Sequence, residues 1–136
     1  MMSTEHEQIV QRGFDAFETA DMDAFTADWA PDVVWDLTYH QTWPGDADRY
    51  VGHGHILAAF ATYLSGAETQ RLEIHELREL EDGRVLVLYT EWRRDPGETE
   101  AKPIEMAIIH TIEAGKVRHM QVHTSHDSAR RVAGVR

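Results

Sequence analysis

Cysteine is absent from the 136 residues. This excludes a disulfide framework, a thiolate nucleophile and any cysteine-ligated zinc or iron–sulfur centre. Proline is scarce, at 4 residues, and glycine contributes 9, which is far from a collagen-like or low-complexity chain. Basic charge is also short: 13 Lys and Arg stand against 24 Asp and Glu, for a net charge of -11. With no basic stripe to offset it, that balance repels phosphate backbones and argues against a nucleic-acid partner. No apolar run approaches the roughly 18 residues needed to cross a bilayer, so no membrane partner is expected. The stretch Met1 to Val10 is acidic where a secretory signal is basic and then apolar. The expectation is a soluble, cytoplasmic protein. No G-x-G-x-x-G, P-loop or G-x-S-x-G occurs, so nucleotide cofactors and serine hydrolysis lack a motif, and no cofactor is expected.

What is present suits one globular unit. Apolar residues make up 42% and charged residues 27%, and a length within the usual range of roughly 100 to 200 residues implies a single domain over 1–136. Thr4, with Glu7 three residues on, starts a helix whose Val10, Phe14 and Phe17 share a face. After Ala20-Asp21, the spacing of Met22, Phe25 and Trp29 predicts a short second helix that Pro31 stops. Asp32 to Thr38 reads as a strand with Val33, Trp35 and Leu37 on one face and Val34, Asp36 and Thr38 on the other. Tyr39 to Gly54 reads as a loop, and Ile56, Phe60 and Leu64 as a third helix ended by Ser65-Gly66.

Beyond the third helix the apolar period becomes two. Leu72 and Ile74 fall out of phase with Leu77 and Leu80, which predicts a bulge near His75-Glu76. Asp82-Gly83 and Ala114-Gly115 are turns, Asp95-Pro96-Gly97 breaks a strand, and Val85 to Trp92, Ile104 to Ile112 and Val117 to Thr124 are strands. Asp127 to Arg136 reads as a short helix or a loose tail. Helices followed by a meander of hairpins indicate an α+β fold: a curved, mainly antiparallel sheet with helices packed on its concave face.

Several stretches carry a specific resemblance: Ala20-Asp21-Met22-Asp23-Ala24-Phe25, Ala30-Pro31-Asp32-Val33-Val34-Trp35-Asp36, Tyr50-Val51-Gly52-His53 and Gly115-Lys116-Val117. Over nearly its full length the chain resembles the SnoaL-like proteins of the NTF2-like superfamily, whose ketosteroid isomerases and polyketide cyclases share a cone-shaped fold with noncatalytic domains. The resemblance implies that Val85, Val87, Tyr89, Glu91 and Arg93 point inward, as do Met106, Ile108, His110, Ile112, Met120 and Val122. It also implies aromatic walls from Phe17, Trp29, Trp35 and Phe60. The acid/base positions of the steroid isomerases fall near Gly13, Leu37 and Ile108, none of which can transfer a proton, so that mechanism is not expected.

The pocket so implied is mostly apolar with a small polar set, which suits a small apolar or aromatic ligand. His110, Glu91 and Tyr89 are the candidate catalytic set. Adjacent antiparallel strands can bring an imidazole and a carboxylate together, and a phenol can steady an oxyanion. The competing reading makes Glu91 the partner of Arg93 or Arg94 and His110 a hydrogen-bonded core residue. Phe17, Trp29, Trp35, Phe60, Met106, Met120, Val122 and His40 are the candidate ligand-binding residues, His40 lying with Trp43 on a loop suited to a lid. Asp36 is read as an outward residue bonded to backbone or to an arginine.

Nine histidines raise the question of metal. His119 and His123 share a strand face about 13 Å apart at about 3.3 Å per residue, and His53 and His55 resemble helix-entry residues. No metal site is expected, and most histidines are read as solvent-exposed. Leu86, Leu88 and Trp92 on the outer face need cover, which predicts a homodimer. The leading function is cofactor-independent acid/base chemistry (isomerisation, dehydration, cyclisation or hydrolysis). The competing class is a noncatalytic ligand-binding or sensory domain.

Overall fold

The computed structural model describes residues 3–45, 47–63 and 68–135, with the side chains of Tyr63 and Gln70 left aside. Helix α1 (Glu5–Glu18) starts at the expected capping box: the Thr4 hydroxyl accepts from the Glu7 N–H, and the Glu7 carboxylate accepts from the Thr4 N–H. Two donors that the helix cannot satisfy internally are thereby paired. Helix α2 is a single turn (Met22–Thr26) capped by the Asp21 side chain.

Trp29 departs from the expectation. It begins strand β1 (Trp29–Tyr39) instead of closing α2, and Pro31 lies inside that strand. The reason is visible in the ladder, which slips between Trp29 and Val34, so the missing N–H of Pro31 falls where no regular pairing needs it. The odd-numbered Trp29, Val33, Trp35 and Leu37 are all buried, and this period-two alternation won over the helical spacing that the same letters allow.

The stretch expected as a loop contains a short strand β2 (Arg49–Val51), and helix α3 runs His53–Tyr63. The anticipated Leu64 end and Ser65-Gly66 stop lie outside the described residues. Strands β3 (Glu68–Glu79), β4 (Val85–Arg94), β5 (Lys102–Glu113) and β6 (Lys116–His123) follow, then helix α4 (His126–Ala133). The β3 ladder breaks between Ile74 and Glu76, at the predicted bulge. The β5–β6 turn has positive φ at both Ala114 (51°) and Gly115 (76°), the left-handed pair that a tight two-residue hairpin requires.

The strand order is β2-β1-β6-β5-β4-β3. Every neighbouring pair is antiparallel except β1 with β6, which is parallel. The sheet curls into a half-barrel. On its concave side α1 and α3 bury Ile9, Val10, Phe14, Ile56 and Ala59 against Val33, Trp35, Val87, Tyr89 and Met120. A second, smaller core forms on the opposite face, where Leu80, Leu86, Leu88, Ala107 and Ile109 meet Ala129 of α4.

That second core corrects one expectation. The tail takes the helical of its two expected forms, and it already covers Leu86 and Leu88, which are 0% and 1% exposed within one chain. Trp92 is half-buried, its ring lying under the Arg71 guanidinium at 4.9 Å and its N–H donating to Glu73. Leu86 and Leu88 therefore give no argument for a second subunit. Helix α4 is held by its polar end as well: the His126 side chain donates to the carbonyls of Tyr89 and Met106, and the His126 N–H to Glu105. Among the described residues no helix is long and apolar enough to cross a membrane.

Candidate functional site: two chambers under the sheet

The concave face encloses two neighbouring chambers. The first has a volume of about 80 Å³ and carries Glu91, Tyr89 and His40 among Phe17, Leu72 and Val122. The second, of about 60 Å³, carries His110 among Ile9, Val10, Trp29, Val117 and Met120. Gly13, Phe14, Phe25, Trp35, Phe60 and Ile108 border both.

The shared wall is a continuous aromatic cluster. Trp35 stacks on Phe60 with ring centroids 4.2 Å apart, Phe25 meets Phe60 at 5.6 Å and Trp29 at 5.0 Å, and Phe17 meets Phe25 at 5.4 Å. Edge-to-face and offset contacts of this kind add to burial in fixing ring positions. All eight residues expected to bind ligand line a chamber. Phe17, Met106, Val122 and His40 line the first only, Trp29 and Met120 the second only, and Trp35 and Phe60 both.

The expected catalytic set does not assemble as a triad. His110 faces Val85 across the β4–β5 ladder, whereas Glu91 faces Ile104. Val85 and Glu91 are six residues apart on one strand, or about 20 Å at about 3.3 Å per residue, so no hydrogen bond links the imidazole to the carboxylate. Phe14 stands between His110 and Tyr89, with centroid distances of 6.3 and 4.9 Å. The structure instead brings Tyr89 and Glu91, two residues apart on one strand face, into one chamber with His40.

Glu91 is 5% exposed and accepts a 3.0 Å hydrogen bond from the Thr69 hydroxyl. His40 accepts from the Thr42 N–H at 3.3 Å and packs edge-on against Trp43. Burial pushes its pKa down, against a smaller opposing effect of its own backbone, so the ring is neutral near pH 7. His110 is also 5% exposed. Burial holds it at about 4, opposed in part by the backbone of Val85, and its Nδ1 is buried with no hydrogen-bond partner.

The sequence reading missed Phe14, Phe25 and Leu72 as lining residues. Phe14 and Phe25 sat on apolar helix faces, but which apolar residues border a void depends on the packing of their neighbours. Gly13 was noted only as a position unable to transfer a proton. A methyl group built there meets no atom within 4 Å, so this glycine leaves open space beside both chambers.

A polar cluster lies on the other face of β1 and β6. Asp36 points outward as expected and is 3% exposed. It accepts from the Thr38 hydroxyl (2.6 Å) and N–H (3.0 Å), lies 3.1 Å from the His119 ring and pairs with Arg49. Burial alone would raise its pKa; the Thr38 bonds and the charges of His119 and Arg49 outweigh it and hold the carboxyl below its usual value. His123 is fully buried between Ser128 and Gln121 and stacks on Tyr39 at 4.5 Å. The expectation of mostly exposed histidines is thus corrected: His110 and His123 are buried, and only His55 and His75 are exposed. Among the described residues no three metal-ligating side chains converge.

A family model for the SnoaL-like domain matches residues 10–120. The chain belongs to the SnoaL-like family. The matched span runs from α1 into β6 and contains all of the chamber lining except Ile9 and Val122. Among solved structures, the SnoaL-like chain is similar to TerC, co-crystallised with polyporic acid, at 22% identity with a TM-score of 0.74. That match covers 96% of this chain and 99% of TerC. An NTF2-like protein of unknown function from Burkholderia pseudomallei gives a TM-score of 0.76 at 22% identity, covering 96% and 98% of the two chains. A hypothetical protein of ketosteroid isomerase-like fold from Catenulispora acidiphila, in complex with trimethylamine, gives 0.69 at 16% identity, covering 94% and 93%. At such identities the likeness is one of fold. No curated protein sequence matches the chain.

Proposed function

We propose that this SnoaL-like domain binds a small apolar or aromatic compound between sheet and helices and performs cofactor-independent proton transfer on it. The observation that carries the reading is a buried carboxylate, Glu91, set in an aromatic chamber with a phenol and a neutral imidazole. A carboxylate set against a bound molecule is a group able to take a proton from it. Tyr89 supplies an O–H toward a developing oxyanion, and His40 a group able to give or take a proton. Isomerisation, dehydration, cyclisation and hydrolysis all draw on these elements. The small ligands held by two proteins of the same fold, polyporic acid and trimethylamine, support a pocket for small molecules.

The separation of His110 from Glu91 favours a second reading, a noncatalytic binding or sensory domain in which the same groups only orient a ligand. Deuterium uptake at the α-carbon of small cyclic ketones in D2O, followed by NMR, separates the two. Uptake that is lost in Glu91→Gln while tryptophan-fluorescence binding is kept supports proton transfer. Binding without uptake across a ketone panel supports the second reading, and absence of both overturns the pocket itself.

We further propose that two copies associate through the outer face of the sheet, where Val51 and Tyr39 remain 49% and 39% exposed. Sedimentation velocity at micromolar concentration tests this, and a clean monomer overturns it.

A further inference from the structure

Glu91 lies opposite Leu72 of β3, and both line the first chamber. The Glu91 carboxylate also accepts the Thr69 hydroxyl, at 3.0 Å on Oε2. Thr69 and Leu72 are three residues apart in the sequence, a spacing that sends side chains to opposite faces of a regular strand. Yet Thr69 reaches the same chamber wall that Leu72 does.

The ladder supplies the reason. Three steps on β3, from Thr69 to Leu72, lie opposite two steps on β4, from Arg93 to Glu91, with the shift between Thr69 and Arg71. Gln70 is thus the extra residue of a bulge, separate from the one between Ile74 and Glu76. One extra residue reverses the alternation on its far side and re-aims the side chain there. Without it, the phase that points Leu72 inward would point Thr69 outward. Placed opposite Arg93, Thr69 reaches Glu91 as its diagonal neighbour on the facing strand.

A hydroxyl also suits a carboxyl group that gains and loses a proton. It donates to the charged form and accepts from the O–H of the acid form, so the buried group keeps a partner in both. The bond to the charged form is the stronger of the two. Branching at Cβ leaves a threonine few rotamers, which confines the hydroxyl and, through it, the carboxylate.

We propose that Thr69 is a positioning residue whose hydroxyl, brought to the inner face by the bulge at Gln70, fixes the Glu91 carboxylate in the first chamber. The inference rests on the proton-transfer reading above and adds a residue that acts through Glu91. Thr69 itself is not among the described residues that line the chamber.

Thr69→Val keeps the shape of the side chain and removes its hydroxyl, whereas Thr69→Ser keeps the hydroxyl. One readout is the Glu91 carboxyl 13C shift against pH, assigned with Glu91→Gln. The other is the ketone deuterium uptake described above. Removing a donor from a carboxylate favours its protonated form, so Thr69→Val should raise the Glu91 titration midpoint by about one pH unit, and Thr69→Ser should restore most of it. The charged and titratable groups nearby are Tyr89 and Arg93 of β4, Lys102 opposite Arg93, His40, and Glu18 of α1, which accepts from the Leu72 N–H. All of them are common to the three proteins, so the difference isolates the hydroxyl.

Uptake at saturating ketone should fall about tenfold in Thr69→Val with KM held within about twofold, because a misaligned base loses rate and not binding. The acid limb of the rate should move with the carboxyl midpoint. An unchanged midpoint and rate in Thr69→Val overturns the proposal. So does a change in Thr69→Ser as large as that in Thr69→Val, which marks a packing role. Should Thr69→Val fail to fold, Thr69→Ala is read in the same way. If the unmodified protein takes up no deuterium, the proton-transfer reading falls by itself, and the midpoint alone then upholds or overturns the hold of Thr69 on Glu91.

Discussion

Asp36→Asn isolates the charge of the outer-face carboxylate while keeping its shape. Both Thr38 bonds survive the change, because the amide oxygen still accepts the hydroxyl at 2.6 Å and the N–H at 3.0 Å. What is lost is their charge assistance. Hydrogen bonds to a charged partner contribute about 1.5–3 kcal/mol and neutral ones about 0.5–1.5, so two bonds lose about 2 kcal/mol between them. Arg49 adds little, since its side chain is 59% exposed and 3.5 Å away, where solvent leaves a pair at about 0–1 kcal/mol.

The expected loss is therefore about 2 kcal/mol at pH 7. Its pH dependence has a definite sign. The folded carboxyl lies below the unfolded value of 3.8, so its contribution is complete above that value and disappears as pH falls through the folded pKa. Urea unfolding followed by tryptophan fluorescence should give a difference between the two proteins that is level from pH 7 to about 5 and shrinks below about 4. The other titrating groups act on both proteins and largely cancel. A difference that persists undiminished at pH 3, or that is below about 0.5 kcal/mol at pH 7, would refute the account.

Acid sensitivity should begin earlier in both proteins, because burial holds His110 and His123 at about 4 against the ordinary histidine value of 6.5. Each favours its neutral form in the fold, so stability present above pH 6.5 falls as pH drops toward 4, by up to about 1.4 kcal/mol per pH unit per group; His123→Gln should lower the slope of stability against pH by about one proton. Leu88→Ala, at a side chain 1% exposed under α4, should cost about 2–5 kcal/mol in denaturant unfolding. Ending the chain at Ser125 should expose Leu86, Leu88 and Ile109, read as dye binding or self-association in sedimentation. Unchanged behaviour would mean that α4 is not the cover. Gly13→Ala meets no atom within 4 Å and removes a helix-interior glycine, so a gain of about 0.5–1 kcal/mol is expected in the same unfolding assay.

Much of this protein was legible in its sequence wherever the determinant is local. The Thr4–Glu7 capping box, the Ala114-Gly115 turn and the β3 bulge all arise from contacts or backbone angles within a few residues, and they occur as the letters imply. Alternation leaves each side chain of β4 and β5 only two directions, and the resemblance to the SnoaL-like proteins implied which of the two is inward. For that reason the lining of the chambers was largely identifiable. What tertiary structure alone decided is relative position. Trp29 satisfies both helical and strand spacing, and only the pairing with Val117 of β6 settles it. The partnership of His110 with Glu91 depended on the β4–β5 register, which the hairpin's turning point fixes and which sets the two six residues apart. The last eleven residues carried little apolar pattern, yet Ala129 and the His123–Ser128 bond dock α4 onto the outer core. Parallel pairing, register and docking join residues distant in sequence, and the energies that select among their alternatives belong to the assembled packing and to no single segment.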